Sequence, residues 1–234
     1  MNKVFGSLAG VMLVLSAPLA QASSEISYRV NGGAIVTCST IASNTGTSCP
    51  GGAVGGGITV TNISSFSNSP GSAAFSQLFQ STLNVSTTGA GTFEIWVSSQ
   101  DFTQPVTPPS ISFLSSVATT TTAGSGTALL TSCVDTTNGD TNPFCTAGTS
   151  LTNPVLPWSK GAESNDTTTI IASLSAPFSM SSYITLVFNG ASSMQVQASS
   201  VLTAVPEPTS ILLLGTALFG AATVLRRRIQ TKRS

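Results

Sequence analysis

The chain has no histidine among its 234 residues. Ser-His-Asp and Cys-His catalysis both need an imidazole base, so both are excluded, and most zinc hydrolysis goes with them. Charged side chains make up only 7% of the sequence, and five of the eight basic ones (Arg226, Arg227, Arg228, Lys232, Arg233) sit in the last nine positions. Between the termini only Arg29 and Lys160 stand against seven acids. A nucleic-acid binder needs clustered Lys and Arg to displace counterions from phosphates, so nucleic acid is not a partner. Aromatics are also few, at 6%. That leaves little material for a sugar-stacking platform. The two indoles, Trp96 and Trp158, are candidate glycan contacts whose alternative role is packing in the core.

The remaining routes to an enzyme are thin. Ser159 and Lys160 are adjacent, so in a strand their side chains face opposite ways. A glycosidase needs two carboxylates across a cleft, and nothing in the spacing of the acids selects a pair. The expectation is a protein that is not an enzyme and holds no cofactor.

What the chain has is hydroxyls. Ser and Thr make up roughly a third of residues 23–204, with β-branched residues, Gly and Asn frequent and helix formers scarce. That mixture favours short strands joined by turns. With so little charge, hydroxyls must keep the surface wet. Ile26, Tyr28 and Val30 alternate, as do Ile58 and Val60. Phe93, Ile95 and Val97 form the clearest run, with Glu94 and Trp96 on the opposite face. Residues 183–188 read as a continuous apolar strand. Asn189-Gly190 follows as a two-residue hairpin signal, with Met194, Val196 and Ala198 on the returning strand. Turn clusters at 44–57, 68–72, 89–91, 104–109 and 138–143 separate these runs. Residues 119–126 are of low complexity and read as a loop. The fold class expected is all-β, an antiparallel β-sandwich over residues 23–204.

The two ends have their own grammar. Lys3 precedes an apolar run at 4–19, which closes on Ala20-Gln21-Ala22. This is the pattern of a secretory signal peptide over residues 1–22. Signal peptidase accepts small side chains at the flanking positions, here Ala20 and Ala22, and the cut is expected after Ala22. No cysteine follows the run, so it is not a lipoprotein signal. The alternative is an uncleaved anchor. At the other end, Val205-Pro206-Glu207-Pro208 leads into an apolar stretch at 209–225 and then Arg226-Arg227-Arg228. Those 17 apolar residues would rise roughly 25 Å as a helix, near the lower limit for crossing a bilayer. The arginines stop the helix and set its orientation, since basic flanks stay cytoplasmic.

This ordered triple over residues 205–234 resembles the PEP-CTERM sorting signal, found on exported proteins of Gram-negative bacteria that make exopolysaccharide. The resemblance implies processing by an exosortase-type membrane protease that acts near Pro206, Glu207 and Pro208. Both prolines fix φ and push their preceding residues to extended geometry, which suits a peptide presented to a protease above the membrane. The alternative is a permanent anchor with a Pro-rich hinge. The implied partners are signal peptidase, the exosortase and exopolysaccharide. The implied location is the inner membrane transiently, then the cell surface or extracellular matrix, in association with exopolysaccharide or biofilm.

Cys38, Cys49, Cys133 and Cys145 would meet an oxidising compartment after export. Four cysteines allow three pairings; the local one, Cys38–Cys49 and Cys133–Cys145, is simplest. Each bridge would contribute about 2–3 kcal/mol on the chain-entropy account. Without histidine, a metal site at these cysteines is not expected. Asp135, Asn138, Asp140 and Asn142 crowd one cysteine loop with oxygen donors, a weak calcium candidate. Pro143 stands where a calcium loop needs Gly, and no closing Glu follows. The Gly-rich stretch at 51–57 lacks the Gly-Lys-Ser/Thr of a phosphate loop. Two readings remain: a structural surface or matrix protein, or a glycan- or calcium-binding module displayed by the same route.

Overall fold

Alternation of apolar and hydroxyl side chains, as along residues 111–121, gives a segment one face to bury and one to wet. The computed structural model describes residues 23–38, 41–42, 47–61, 63–139, 148–206, 215–216 and 218. Among them the strands are, in chain order, β1 (Ser23–Val30), β2 (Val36–Thr37), β3 (Ile41–Ala42), β4 (Thr47–Cys49), β5 (Gly52–Gly55), β6 (Ile58–Thr61), β7 (Ile63–Ser67) and β8 (Phe75–Thr87). Then come β9 (Gly91–Phe102), β10 (Ile111–Ala123), β11 (Gly126–Asp135), β12 (Gly148–Thr152), β13 (Leu156–Trp158), β14 (Gly161–Ile171), β15 (Phe178–Phe188) and β16 (Ser192–Ala204).

They form two antiparallel sheets. The first runs β12-β11-β15-β9-β1-β2, with β13 also on β11 and β3 on β1. The second runs β14-β10-β16-β8-β6-β5, with β7 on β8 and β4 on β7. The inner faces meet in one core. Ile26, Phe93, Ile95, Leu130 and Ile184 come from the first sheet, and Leu83, Phe113, Val117, Val196 and Leu202 from the second. Each such side chain stabilises by about 1.5–3 kcal/mol relative to exposure. The chain is the β-sandwich its alternation predicts.

The strand connections depart from expectation. Asn189-Gly190 does not close a hairpin, because β15 lies in the first sheet and β16 in the second. A type I′ turn needs positive φ at both central residues, and neither Asn189 nor Gly190 has it. The segment is an arch that carries the chain across the core, so Phe188 and Met194 both point inward from opposite sheets. The β8–β9, β9–β10, β10–β11 and β14–β15 connections change sheets in the same way. The Asn-Gly pair with left-handed dihedrals is Asn31-Gly32, at φ 51° and 68°, between β1 and its antiparallel partner β2.

Hydroxyls serve the interior as well as the surface. Ser132 and Ser182 pair across the first sheet, and Ser115 and Ser200 pair across the second. Their hydroxyls form a chain through the core: Ser115 to Ser132, Ser132 to Ser200 and Ser200 to Ser182, each at 2.7 Å. All four serines are buried. A second such contact joins Ser99 on β9 to Ser67 on β7 at 2.9 Å. Burying a hydroxyl costs free energy unless it is paired, so these contacts favour one register of sheet against sheet.

Cys38 and Cys49 are bonded, with Cα atoms 5.4 Å apart. Cys38 follows β2 on the first sheet and Cys49 ends β4 on the second, so the bridge staples one sheet to the other. Cys133 is also disulfide-bonded; Cys145 lies outside the described residues.

Candidate functional site

The C-terminal segment leaves the sandwich from a central strand. β16 is paired on both sides, to β10 and β8, up to its last residues. The Ala204 N–H donates to the Ala74 carbonyl at 3.0 Å, and the Val205 N–H donates to the Ser110 carbonyl at 2.8 Å. Pro206 has no N–H to continue the ladder, and it is exposed. Folded structure therefore holds the backbone through Val205, and the first residue free of the ladder is the first proline of the motif. A protease needs an extended, unpaired peptide; the Val205 backbone is engaged by its bond to Ser110, while that of Pro206 continues no ladder.

Glu207, Pro208 and Arg226, Arg227 and Arg228 lie outside the described residues, as do Ala20 and Ala22. In the apolar stretch, Gly215, Thr216 and Leu218 are helical. Among the described residues, no helix is long and apolar enough to cross a membrane.

The two tryptophans are not platforms. Trp158 is 2% exposed. It packs edge-on against Phe188 at 5.5 Å between ring centroids, and its ring lies across Gly126. A Cβ on that glycine would sit 2.4 Å from the indole and 1.9 Å from the Val187 carbonyl oxygen. Trp96 is on the outer face of the first sheet, as the alternation of β9 predicts, yet it is only 5% exposed. Tyr183, its cross-strand partner on β15, stacks on it with centroids 5.0 Å apart and planes 8° apart. The Arg29 guanidinium sits 5.3 Å from the ring centroid. The candidate glycan contacts Trp96 and Trp158 are thus corrected to packing residues: neither offers an open ring face.

Around Trp96 the side chains form a closed ionic cluster. Arg29 grips Glu94 in a bidentate pair, through Nε to Oε2 and through Nη2 to Oε1 at 2.6 Å. The Tyr183 hydroxyl donates to Oε1. The hydrogen bond from Arg29 holds the Glu94 carboxyl below its ordinary value, against the opposing effect of burial. Burial pushes the Tyr183 phenol up, and its bond to Glu94 adds to that. Glu94 in turn raises Arg29. With every oxygen of Glu94 occupied by cationic or phenolic donors, the cluster has no free acid or base to offer a substrate. Glu94 and Trp96 could be placed on the outer face from sequence. Arg29 and Tyr183 could not be joined to them, because β1 and β15 reach β9 only through tertiary pairing.

The candidate calcium residues divide. Asp135 is buried and accepts from the Thr137 N–H at 2.8 Å and the Thr137 hydroxyl at 2.7 Å. Asn138, at φ 54°, exchanges bonds with Asp101, at φ 61°. Its Oδ1 accepts from the Asp101 N–H and its Nδ2 donates to Asp101 Oδ1, both at 2.8 Å. Asp135 forms an Asx-type turn, and Asn138 locks the β11 end to the β9 end. Asp140 and Asn142 lie outside the described residues. No group of three metal-ligating side chains occurs among the described residues.

The outer face of the second sheet carries aromatics that the sequence pattern hides. On β7, Ser65 and Ser67 point inward and Phe66 outward, with Ile63 inward. Phe66 lies opposite Phe79 of β8, and Phe75 lies on the same face four residues before Phe79. Ile63, Ser65 and Ser67 take the inward positions of β7, so Phe66 falls on the outer face by alternation.

The family model described as PEP-CTERM protein-sorting motif matches residues 204–228. No curated protein matches the chain by sequence. Solved structures similar to it include TmCBM61 in complex with β-1,4-galactotriose, at 8% identity and TM-score 0.34, covering 62% of this chain and 88% of that one. Carbohydrate-binding modules from the β-sandwich superfamily are similar at 10% identity and TM-score 0.32, covering 75% and 83%. The glycoside hydrolase domain Spr0440, Endo-D, from Streptococcus pneumoniae R6 is similar at 14% identity and TM-score 0.31, covering 56% and 18%. The sorting motif begins on the last residue of β16, and the chain is a protein that carries a PEP-CTERM protein-sorting motif.

Proposed function

We propose that the chain is a non-enzymatic exported protein, delivered by its motif to the cell surface or extracellular matrix and associated there with exopolysaccharide or biofilm. Residues 1–22 direct export and are removed by signal peptidase after Ala22. Residues 209–225 hold the chain in the inner membrane, with Arg226, Arg227 and Arg228 on the cytoplasmic side. An exosortase-type protease then cuts beside Pro206, Glu207 and Pro208, releasing or transferring the sandwich.

The observation that carries this reading is the coincidence of the matched motif with the end of the folded ladder. Pairing stops at Val205 and the matched segment starts at Ala204, so one cut at Pro206 or beyond would separate an intact domain from its handle. The ectodomain's own contribution is a hydroxyl-rich surface with few charged side chains. Serines and threonines contact polysaccharide through many weak hydrogen bonds rather than through one deep site.

The test is intact mass of the protein recovered outside the native cell, beside a Pro206→Ala/Pro208→Ala variant. A product ending near Pro206 that disappears in the variant supports the reading. Retention of Arg226 to the C-terminus in both proteins would make the segment a permanent anchor and defeat it.

A further inference from the structure

The outer face of the second sheet changes character along its length. At the exit end, Ile170, Ser112, Thr203 and Phe75 form one row across β14, β10, β16 and β8. Val205 lies one step further out on the same face. Phe75 is 42% exposed, Ile170 58% and Val205 37%, a large apolar fraction for neighbouring surface positions. The next row inward adds Leu114 and Val201, which are register partners and half-buried. At the opposite end, β8, β10 and β16, with β6 beside them, present Thr61, Asn84, Ser86, Thr122, Ser193 and Gln195, around a shallow depression that holds no ionisable group. The two exit-end rows hold no charged side chain either.

From this face and the tether, we infer that before cleavage the sandwich rests on the bilayer through the exit end of its second sheet. The occupant is the lipid surface itself, with Phe75, Ile170 and Val205 entering the headgroup–acyl boundary. The inference rests on the reading that residues 209–225 cross the membrane. The tether argument is geometric. Val205 is held by the last ladder bond, and four residues later the apolar stretch begins. That spans about 14 Å at full extension, so the exit end cannot leave the interface while the chain is uncut. Successive outward rows are about 7 Å apart, which puts the Ile170–Phe75 row within reach of the interface and the hydroxyl end well clear of it. Apolar side chains are favoured in that boundary. The two exit-end rows carry no charge, which matches a lipid surface recognised without anionic headgroups, so their contact is insensitive to salt. After cleavage the tether is lost, and a contact this small no longer retains the domain.

The full chain is reconstituted in phosphatidylcholine vesicles with a single environment-sensitive label at Phe75→Cys, Ser193→Cys or Leu218→Cys. Quenching by lipids brominated near the headgroup or deep in the acyl chain is then measured. The expected result is deep quenching at position 218. Shallow quenching at position 75 should be severalfold that at position 193, and unchanged between low and high salt. Quenching at 218 with positions 75 and 193 equally unquenched overturns the resting pose and leaves the anchor reading standing. An unquenched label at 218 overturns the anchor reading and this inference with it. Thermal melts of the three labelled chains, coincident with the unlabelled protein, ensure that the comparison is made on folded domains.

Discussion

Replacing Ser200 by alanine should destabilise the sandwich far more than the loss of one small side chain suggests. Its hydroxyl links Ser132 and Ser182, each at 2.7 Å, inside the core. Removing it deletes two hydrogen bonds of about 1 kcal/mol net each and leaves the Ser182 hydroxyl buried without that partner, so the expected loss is about 2–3 kcal/mol. For a domain of this size that lowers the melting temperature by roughly 4–12 °C. The companion variant changes Ser115, Ser132, Ser182 and Ser200 to alanine together. It removes every member of the chain and leaves no orphaned hydroxyl. Its loss should not exceed that of Ser200→Ala, although independent contributions would sum to two or three times as much. Urea unfolding followed by tryptophan fluorescence is a suitable assay, since both indoles are buried in the folded state. A fourfold variant that loses the full additive sum, or a Ser200→Ala variant unchanged within error, would refute the account of the serines as one cooperative relay.

The Glu94 cluster makes stability depend on acid. Glu94 titrates below its ordinary value near 4.5 when folded, so its contribution is complete above that value and is lost as pH falls through the folded one. Glu94→Gln should cost about 1–2 kcal/mol at pH 7, discounted because Arg29 is partly exposed. The gap to wild type should close as pH falls below Glu94's ordinary value and through its lowered folded one, and a gap constant with pH would count against the assignment. Gly126→Ala should destabilise by about 1–3 kcal/mol through the clash with Trp158 and the Val187 carbonyl, seen as a lower urea midpoint with unchanged slope. Non-reducing peptide mapping should find Cys133 joined to Cys145. A Cys133 peptide joined to any other would overturn that pairing.

The sandwich class was legible because half-buried strands impose a period of two, and residues such as Phe93, Ile95 and Val97 obey it. The sorting motif was legible for a different reason. It is read as a linear peptide, so Pro206-Glu207-Pro208, the apolar stretch and the arginines carry their meaning in order and spacing alone. The local bridge Cys38–Cys49 was accessible because its loop is short. Other features were decided only by tertiary structure. Asn189-Gly190 has the composition of a hairpin, but its dihedrals are set by which sheet each flanking strand joins, and that depends on partners far away in the chain. Glu94 meets Arg29 and Tyr183 for the same reason. Phe66 points outward because Ile63, Ser65 and Ser67 take the inward positions of β7, where Ser67 meets Ser99 across the core. Trp96 and Trp158 are covered by neighbours that no periodicity names. Local pattern encodes which faces are buried; only the register between distant strands decides what each side chain meets there.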